Sequence, residues 1–423
     1  MLEQPTQSQG PHVASDEDSP SKPYYLSRMK VVLAGYLTIH ELERIRDYLV
    51  QRVGRLELIG LTTFETRGVN PVVVLYENAK MTREIRLPMR LKPPRFLHTF
   101  FLFVSYCIHL TSIILLAIRS GEVFDLFIGV SYTPALAGTV LKKIGLTRSL
   151  IYYAYDYEPT PPNSNLFTAL TTRLFQVLDL RCARSADVTW NLSEAIVRTR
   201  RTITEDRAPE SDILVPYPLV PTTSYPTRVR KNTAGFIGNL RAGQGVELAL
   251  DAIPIIRTRV PEFRLLIIGS GPLEPQLKKY VEKQKLDRNV AFLGFIRDKK
   301  KVQEILSSCS LGLAPYFRDP YSLVNYGYPG KVKTYLECGL PVVMTDVADI
   351  SEEIRRRRAG LLIDYDAKQL ADAVIRILTN KRLHDELRRN VRTITKRSNP
   401  QTVLDRAFAL SRDRIMAARN RKT

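Results

Sequence analysis

Asn325-Tyr326-Gly327-Tyr328-Pro329-Gly330-Lys331-Val332-Lys333-Thr334-Tyr335-Leu336-Glu337-Cys338-Gly339-Leu340-Pro341-Val342-Val343 is the stretch on which the reading of this chain turns. A Pro-Gly pair closes an irregular loop, and a short helix begins near Lys331. The helix stops at Gly339, a left-handed cap, and Leu340-Pro341 leads into an apolar strand. A loop feeding a helix N-terminus presents free backbone N–H groups and the positive end of the helix dipole, here with Lys331 and Lys333 beside it. Phosphate binding is the natural use of such a terminus. Taken alone, the stretch also fits an ordinary loop-helix-strand unit with solvated lysines. A lysine at a helix start is not expected in the core.

At 423 residues the chain is too long for one ordinary core and reads as two domains of about 200 residues each. Hydrophobic content of 44% with 25% charged residues is that of a globular protein, but a net charge of +20 is not ordinary. It calls for an anionic partner: nucleotide phosphates, nucleic acid, or an acidic membrane surface. Cys107, Cys182, Cys309 and Cys338 lie far apart, without a Cys-x-x-Cys pair or adjacent histidines. That excludes a zinc ribbon, offers no disulfide framework and points to a reducing compartment.

Residues 1–28, rich in Ser, Gln, Pro and Asp and without a signal-peptide apolar core, read as a disordered tail. From Met29 onward, residues 30–35 form a buried strand, and Thr38-Ile39-His40-Glu41 has capping-box spacing for a helix through about Gln51. Strands are expected at 57–61 and 72–75. Beyond Arg86, Arg90, Lys92 and Arg95 lies the longest uncharged apolar run, residues 96–118, roughly 34 Å as a helix and enough to span a bilayer. His98, Ser105, His109 and Ser112 share one narrow face, which reads as a wet stripe on a core or membrane-lying helix. A true span is the alternative. Topology opposes it, because the strands near Val31 and at 126–128 have to share a sheet.

The chain continues with a helix at 134–144, a strand at 150–153, a helix at 165–185, a strand at 188–190 and a helix opening at Ser193. Asn191-Leu192-Ser193 fits a glycosylation sequon, but it sits before a helix, and the N-cap is the preferred reading of Ser193. Pro209, Pro216, Pro218, Pro221 and Pro226 punctuate a stretch without periodicity, where the interdomain linker belongs. A second α/β run follows: a strand from Ala234, a helix at 245–258, and strands at 265–268, 290–293, 311–314, 342–345 and 361–363. Such alternation implies parallel sheets with helices on both faces and ligands at the carboxyl ends of the strands. The domains are 1–28 (tail), 29–215, 216–232 (linker), 233–400, and a basic C-terminal helix, 401–423, crossing back to the first domain.

Four elements of the second half stand in register. Gly238-Asn239-Leu240 with Gly243-Gln244-Gly245-Val246-Glu247-Leu248 resembles the opening "G-x-L…K-G-x-x-x-L" of the family-4 retaining glycosyltransferases. Ile267-Ile268-Gly269-Ser270-Gly271-Pro272 is similar to the family's "I-V-G-x-G-P" turn, and Val290-Ala291-Phe292-Leu293-Gly294 to its "V-x-F-x-G". The opening stretch matches the branch reading "P-x-K-x-x-E-Y-x-x-x-G-x-P-V-V". The resemblance implies an α/β fold of the GT-B type: two Rossmann-like domains with parallel sheets facing across a cleft. It also implies a nucleotide-sugar held mostly by the second domain.

Breaking a glycosyl–diphosphate bond leaves charge on phosphate, which a metal ion or helix N-termini with basic side chains can stabilise. No Asp-x-Asp pair is read as a metal signature, so no metal and no cofactor is expected. The donor-binding candidates are Gly238, Asn239, Arg241, Gln244, Gly269, Gly271, Tyr326, Gly330, Lys331, Lys333 and Thr334. The family's two glutamates align with Tyr326 and Thr334, and its basic diphosphate pair with Asn239 and Gln244, so all four charges are missing. Arg241, Lys331 and Lys333 stand nearby as substitutes. Asp156, aligned near a family histidine, is the catalytic candidate, a satisfied turn aspartate being the alternative.

The implied activity is transfer of a sugar from a UDP- or GDP-linked donor to a lipid-linked or polysaccharide acceptor, retaining and metal-independent. It would take place in the cytoplasm at the inner face of the cell membrane, with peripheral contact to anionic lipid. A degenerate, non-catalytic nucleotide-sugar or glycan-binding relative is the alternative. No nucleic acid is expected, since charge alone favours one.

Overall fold

Strands buried on both faces need near-continuous apolar runs, and the runs at Val31, Phe127, Ile151, Leu265 and Val342 form parallel strands for that reason. The computed structural model describes residues 24–62, 70–86, 98–155, 157–203, 211–222 and 229–420, without the side chains at 24–25, 40 and 98–103. The chain forms two units, Met1–Tyr217 with Pro400–Thr423, and Pro218–Asn399.

The first unit runs β1 (Lys30–Tyr36), α1 (His40–Val50), β2 (Arg55–Leu61), β3 (Val72–Glu77), β4 (Lys80–Arg86), α2 (His98–Ser120), β5 (Leu126–Val130) and α3 (Tyr132–Lys143). It continues through β6 (Leu150–Ala154), α4 (Leu166–Ser185), β7 (Val188–Asn191), α5 (Glu194–Ile203) and β8 (Asp212–Leu214). The sheet order is β4-β3-β2-β1-β5-β6-β7-β8. It is not wholly parallel: β3 and β4 form an antiparallel hairpin at one edge, turning at Asn78 and Ala79 with φ of 49° and 64°. Sequence patterning missed β4, Lys80-Met81-Thr82-Arg83-Glu84-Ile85-Arg86, because an exposed edge strand carries charges instead of an apolar run. Three-residue β8, at the other edge, was passed over among the prolines.

Three local expectations need correction. The 3-10 turn Tyr24–Arg28 lies inside the stretch read as tail, and its Leu26 is fully buried. Helix α1 is capped at Ile39 without a side-chain bond, so Thr38 and Glu41 form no capping box. The Leu37 N–H is held by Leu61 O at 2.8 Å and the Ile39 N–H by Tyr36 O at 2.9 Å, which delays the helix to His40. On α2 the polar stripe faces inward: Ser105 and His109 are buried, whereas Ile108, Leu115 and Ile118 are exposed. The inward groups have partners. Ser105 Oγ lies 3.5 Å from His109 Nε2, and the His109 ring packs edge-on to Tyr36 at 5.7 Å. Burial pushes the His109 pKa down to about 4, so the ring is neutral near neutral pH. Among the described residues no helix is long and apolar enough to cross a membrane. Arg90, Lys92 and Arg95 lie outside the described residues, as do residues 1–23.

Helix α14 (Pro400–Asn420), reached after the second unit, packs on the first. Tyr48 Oη donates to Asp405 at 2.6 Å, Trp190 Nε1 donates to Ser411 Oγ at 2.8 Å, and Phe408 stacks on Tyr48 at 5.4 Å.

The second unit contains β9 (Thr233–Ile237), α6 (Val246–Asp251), α7 (Ile253–Arg259), β10 (Arg264–Ile268), α8 (Glu274–Lys283), β11 (Val290–Gly294) and α9 (Lys299–Ser307). It goes on with β12 (Leu311–Ala314), α10 (Gly330–Glu337), β13 (Val342–Thr345), α11 (Asp349–Arg356), β14 (Gly360–Ile363), α12 (Ala367–Thr379) and α13 (Lys381–Arg397). Its sheet, β11-β10-β9-β12-β13-β14, is entirely parallel. The single helix expected at 245–258 is broken at Ala252, where Pro254 supplies no N–H to the preceding turn. The proline-rich segment is pinned where it is described: Leu219 N–H donates to Ser398 O at 2.7 Å and Val220 N–H to the Glu337 carboxylate at 3.1 Å.

Candidate functional site

In the second sheet the chain leaves β9 towards β10 and β11, then returns to β12 on the other side of β9. Strand order therefore reverses between β9 and β12, and the carboxyl ends of these two strands diverge into a crevice. Three segments of the sequence end there: Gly238 after β9, Tyr316 after β12, and the N-terminus of α10. Tyr335 bolts them together. Its hydroxyl donates to Leu313 O at 2.9 Å and accepts the Ile237 N–H at 3.0 Å, bridging strands that no longer bond each other. Its ring leaves no room for a side chain at Gly312, where a Cβ would come within 2.4 Å. Lys331 stands one helical turn before Tyr335, on the same face of α10.

Lys331 is not a solvated lysine. It is only 5% exposed, which overturns the expectation that it stays out of the core. Its Nζ donates to Gln244 Oε1 at 2.6 Å and lies 4.2 Å from the Tyr316 ring centroid and 5.0 Å from that of Phe236. No carboxylate among the described residues pairs with it. Burial, and secondly the nearby Arg241 guanidinium, push its pKa down from 10.5 to about 7.

The glycines make this approach feasible. Gly238 has φ of 150°, and a Cβ there would sit 3.0 Å from Lys331 Cε. Gly269, with φ of 137°, lets the turn after β10 close on the turn after β9; a Cβ there would lie 1.9 Å from Gly238 O. Asn239 Oδ1 lies against Gly271, and Leu240 N–H donates to Ser270 O at 3.0 Å.

The structure thus brings Gly238, Gln244 and Lys331 into contact, with Gly269, Gly271 and Asn239 supporting them and the charge of Arg241 reaching Lys331. Gly330 opens the helix without crowding. Thr334 Oγ1 donates to Gly330 O at 2.9 Å, which leaves only its lone pairs for a ribose hydroxyl. Lys333 and Tyr326 are half-buried, the latter directly after the 3-10 turn Leu323–Asn325. Asp156 lies outside the described residues. Tyr316, Phe236 and Tyr335 escaped the sequence reading, although Tyr335 sits at helical spacing from Lys331 and was legible for that reason.

Residues 231–380, all within the second unit, match the family described as Glycosyl transferases group 1. The chitobiosyldiphosphodolichol beta-mannosyltransferase of Yarrowia lipolytica is 26% identical over 165 residues, 38% of this chain and 34% of that protein. The GDP-mannose-dependent alpha-(1-6)-phosphatidylinositol dimannoside mannosyltransferase of Mycobacterium tuberculosis is 26% identical over 147 residues, 35% of each protein. The chain spans about a third of the length of these curated relatives. Among solved structures, HepE of Anabaena in complex with UDP superposes with a TM-score of 0.61 at 16% identity, covering 90% of this chain and 98% of that one. The sucrose-phosphate synthase of Thermosynechococcus elongatus gives 0.65 at 16% identity, covering 92% and 100%.

The fold is GT-B.

In this GT-B chain the second unit carries the sequence match and the glycine turns. One pair passed over in the sequence, Asp364 and Asp366, has Asp-x-Asp spacing. Asp366 Oδ1 accepts the Gln369 N–H at 2.8 Å as the cap of α12, and Asp364 Oδ2 accepts from Gln369 Nε2 at 3.1 Å. Both carboxylates therefore serve the start of a helix.

Proposed function

We propose that the chain is a hexosyltransferase that moves a sugar from a UDP- or GDP-linked donor to a lipid-linked or polysaccharide acceptor, with retention and without a metal ion. One observation carries the reading: a buried ammonium, Lys331, paired with no carboxylate among the described residues, at the N-terminus of α10 and at the strand-order reversal of the second sheet. A diphosphate supplies the negative charge that this position lacks. Gly330 and the first turn of α10 offer backbone N–H groups, and Arg241 adds a second cation.

As the bond between the anomeric carbon and the phosphate oxygen breaks, its electron pair passes to that oxygen. Lys331, Arg241 and the helix terminus then meet the growing charge without rearranging. Retention follows from the resemblance of the four motifs. A lipid-linked acceptor is supported by relatives whose names include diphosphodolichol and phosphatidylinositol dimannoside, and a polysaccharide one by the amylovoran biosynthesis glycosyltransferase of Erwinia amylovora, 28% identical over 142 residues. With a net charge of +20, the protein would work as a peripheral protein at the cytoplasmic face of the cell membrane.

The test is calorimetric titration with UDP and GDP, with an oligonucleotide as control, followed by product analysis with a panel of nucleotide-sugars. Diphosphate binding with sugar transfer is the expected result. Binding without turnover on any donor would favour the non-catalytic reading, and preference for the oligonucleotide would overturn both.

A further inference from the structure

Helix α4 turns part of its apolar surface outward. Thr172, Asp179, Cys182 and Ala183 form its buried side, and Asp179 is committed there to Arg200. Five of its large apolar residues face solvent, Leu166 (77% exposed), Phe167, Leu170 (59%), Leu174 and Val177, while Phe175 packs inward on Tyr132 at 5.1 Å. Positions 166, 170, 174 and 177 repeat at helical spacing, so they form one ridge over three turns. Arg181 and Arg184 continue that ridge and Arg173 flanks it, all three exposed. Single exposed leucines need no explanation, but a contiguous ridge does.

The exposed charges of α4 itself have one sign, although Glu158, whose backbone carbonyl accepts from Gln176 of α4, is exposed beside it. The only acidic residue of α4 is the buried Asp179. Helix α3, packed against both α2 and α4, has no acidic residue and carries Lys143 beside Lys142, which pairs with Asp187 at 2.6 Å. Helix α2 has none either, and although it buries Ile113 and Ala117 it also exposes Ile108, Leu115 and Ile118. The Tyr106 ring of α2 meets Phe175 of α4 at 5.4 Å, so the helices belong to one layer.

We propose that the outer face of α4 is a docking surface for an anionic lipid bilayer. Its leucine and phenylalanine ridge enters the headgroup boundary while Arg173, Arg181 and Arg184 meet lipid phosphates. A helix lying in the interface needs this combination of an apolar ridge, cationic neighbours and no exposed carboxylate of its own. The inference rests on the peripheral-membrane reading above and deepens it by naming the surface.

Vesicle flotation of the full chain tests it, using phosphatidylcholine vesicles with and without phosphatidylglycerol. Wild type is expected to bind the anionic vesicles and lose binding in high salt. Leu170→Gln with Leu174→Gln should weaken that binding at least tenfold, and Arg181→Ser with Arg184→Ser should remove most of the salt dependence. Circular dichroism and nucleotide diphosphate affinity should be unchanged in both variants. If wild type floats and the leucine variant floats equally well, the α4 assignment is overturned while the membrane reading stands. Wild type that binds neither vesicle overturns both. A wild-type dimer in sedimentation that the leucine variant converts to monomer would give the ridge to a second copy and overturn the lipid assignment.

Discussion

Among the described residues, each unit holds a cation buried against aromatic rings, Arg200 in the first and Lys331 in the second, and the two are treated in opposite ways. In the first unit Arg200, 1% exposed, donates to both oxygens of Asp179 at 2.7 Å, hydrogen-bonds the side chain of the fully buried Asn191 and lies 3.9 Å from Asp212. Burial alone would lower its pKa, but the charge and hydrogen bonds of Asp179 raise it. In the second unit Lys331, comparably buried, has an amide and two rings but no carboxylate among the described residues, and its pKa falls to about 7. A compensated buried charge holds elements together: Arg200 ties α5 to α4 and β7. An uncompensated one costs stability and is retained where an outside anion is meant to complete it.

The largest expected effect breaks the compensated side. Arg200→Met leaves the buried Asp179 carboxylate without its cation, bonded by the Tyr152 hydroxyl, and should cost the first unit about 3–5 kcal/mol in chemical denaturation. Adding Asp179→Leu should recover most of that loss. If the single substitution proves neutral, Arg200 is not the keystone described here.

On the other side, Lys331→Met should leave the second unit as stable as before or more so, while weakening nucleotide diphosphate binding well over tenfold in calorimetry. Equal affinity would remove Lys331 from the donor site. A large loss of stability would mean that it plays the same part as Arg200.

The pH dependence sharpens the contrast. The folded pKa of Lys331, about 7, lies below the ordinary 10.5, so the unfolded chain binds the extra proton between these values. Stability of the second unit should therefore rise with pH from about 7 towards 10.5. Diphosphate affinity should fall across the same window, by up to about tenfold per pH unit, because binding must draw in a proton. Lys331→Arg should flatten both profiles; a wild-type profile already flat above pH 7 would contradict the assignment. The smallest expected effect is none at all. If Lys331, Arg241 and the terminus of α10 carry the diphosphate, turnover should continue in a chelator. Loss restored specifically by magnesium or manganese would show that they do not suffice.

The second unit was the more legible in sequence. Its strands, buried on both faces, read as unbroken apolar runs, and Gly238, Gly269 and Gly339 mark where they turn. In the first unit local pattern misleads at the edges and on the helices. The strand β4 has four charged residues among its seven, and α2 and α4 each bury polar residues while leaving large apolar ones exposed. Amphipathic spacing locates a stripe but does not say which side of it is buried. That depends on partners distant in the chain, Tyr36 for His109 and Arg200 for Asp179.

By itself, then, the sequence determined the alternation of elements, the glycine turns and the presence of Lys331 and Gln244 in the segments that follow β12 and β9, because each depends on residue type and short spacing. Only the tertiary structure decided that these two side chains, 87 positions apart, share a hydrogen bond. The same holds for the depth of Lys331 between the Tyr316 and Phe236 rings, and for the role of the Tyr335 hydroxyl in bridging two strand ends. Depth and contact between distant residues arise when the strand order reverses, and no window along the chain contains that reversal.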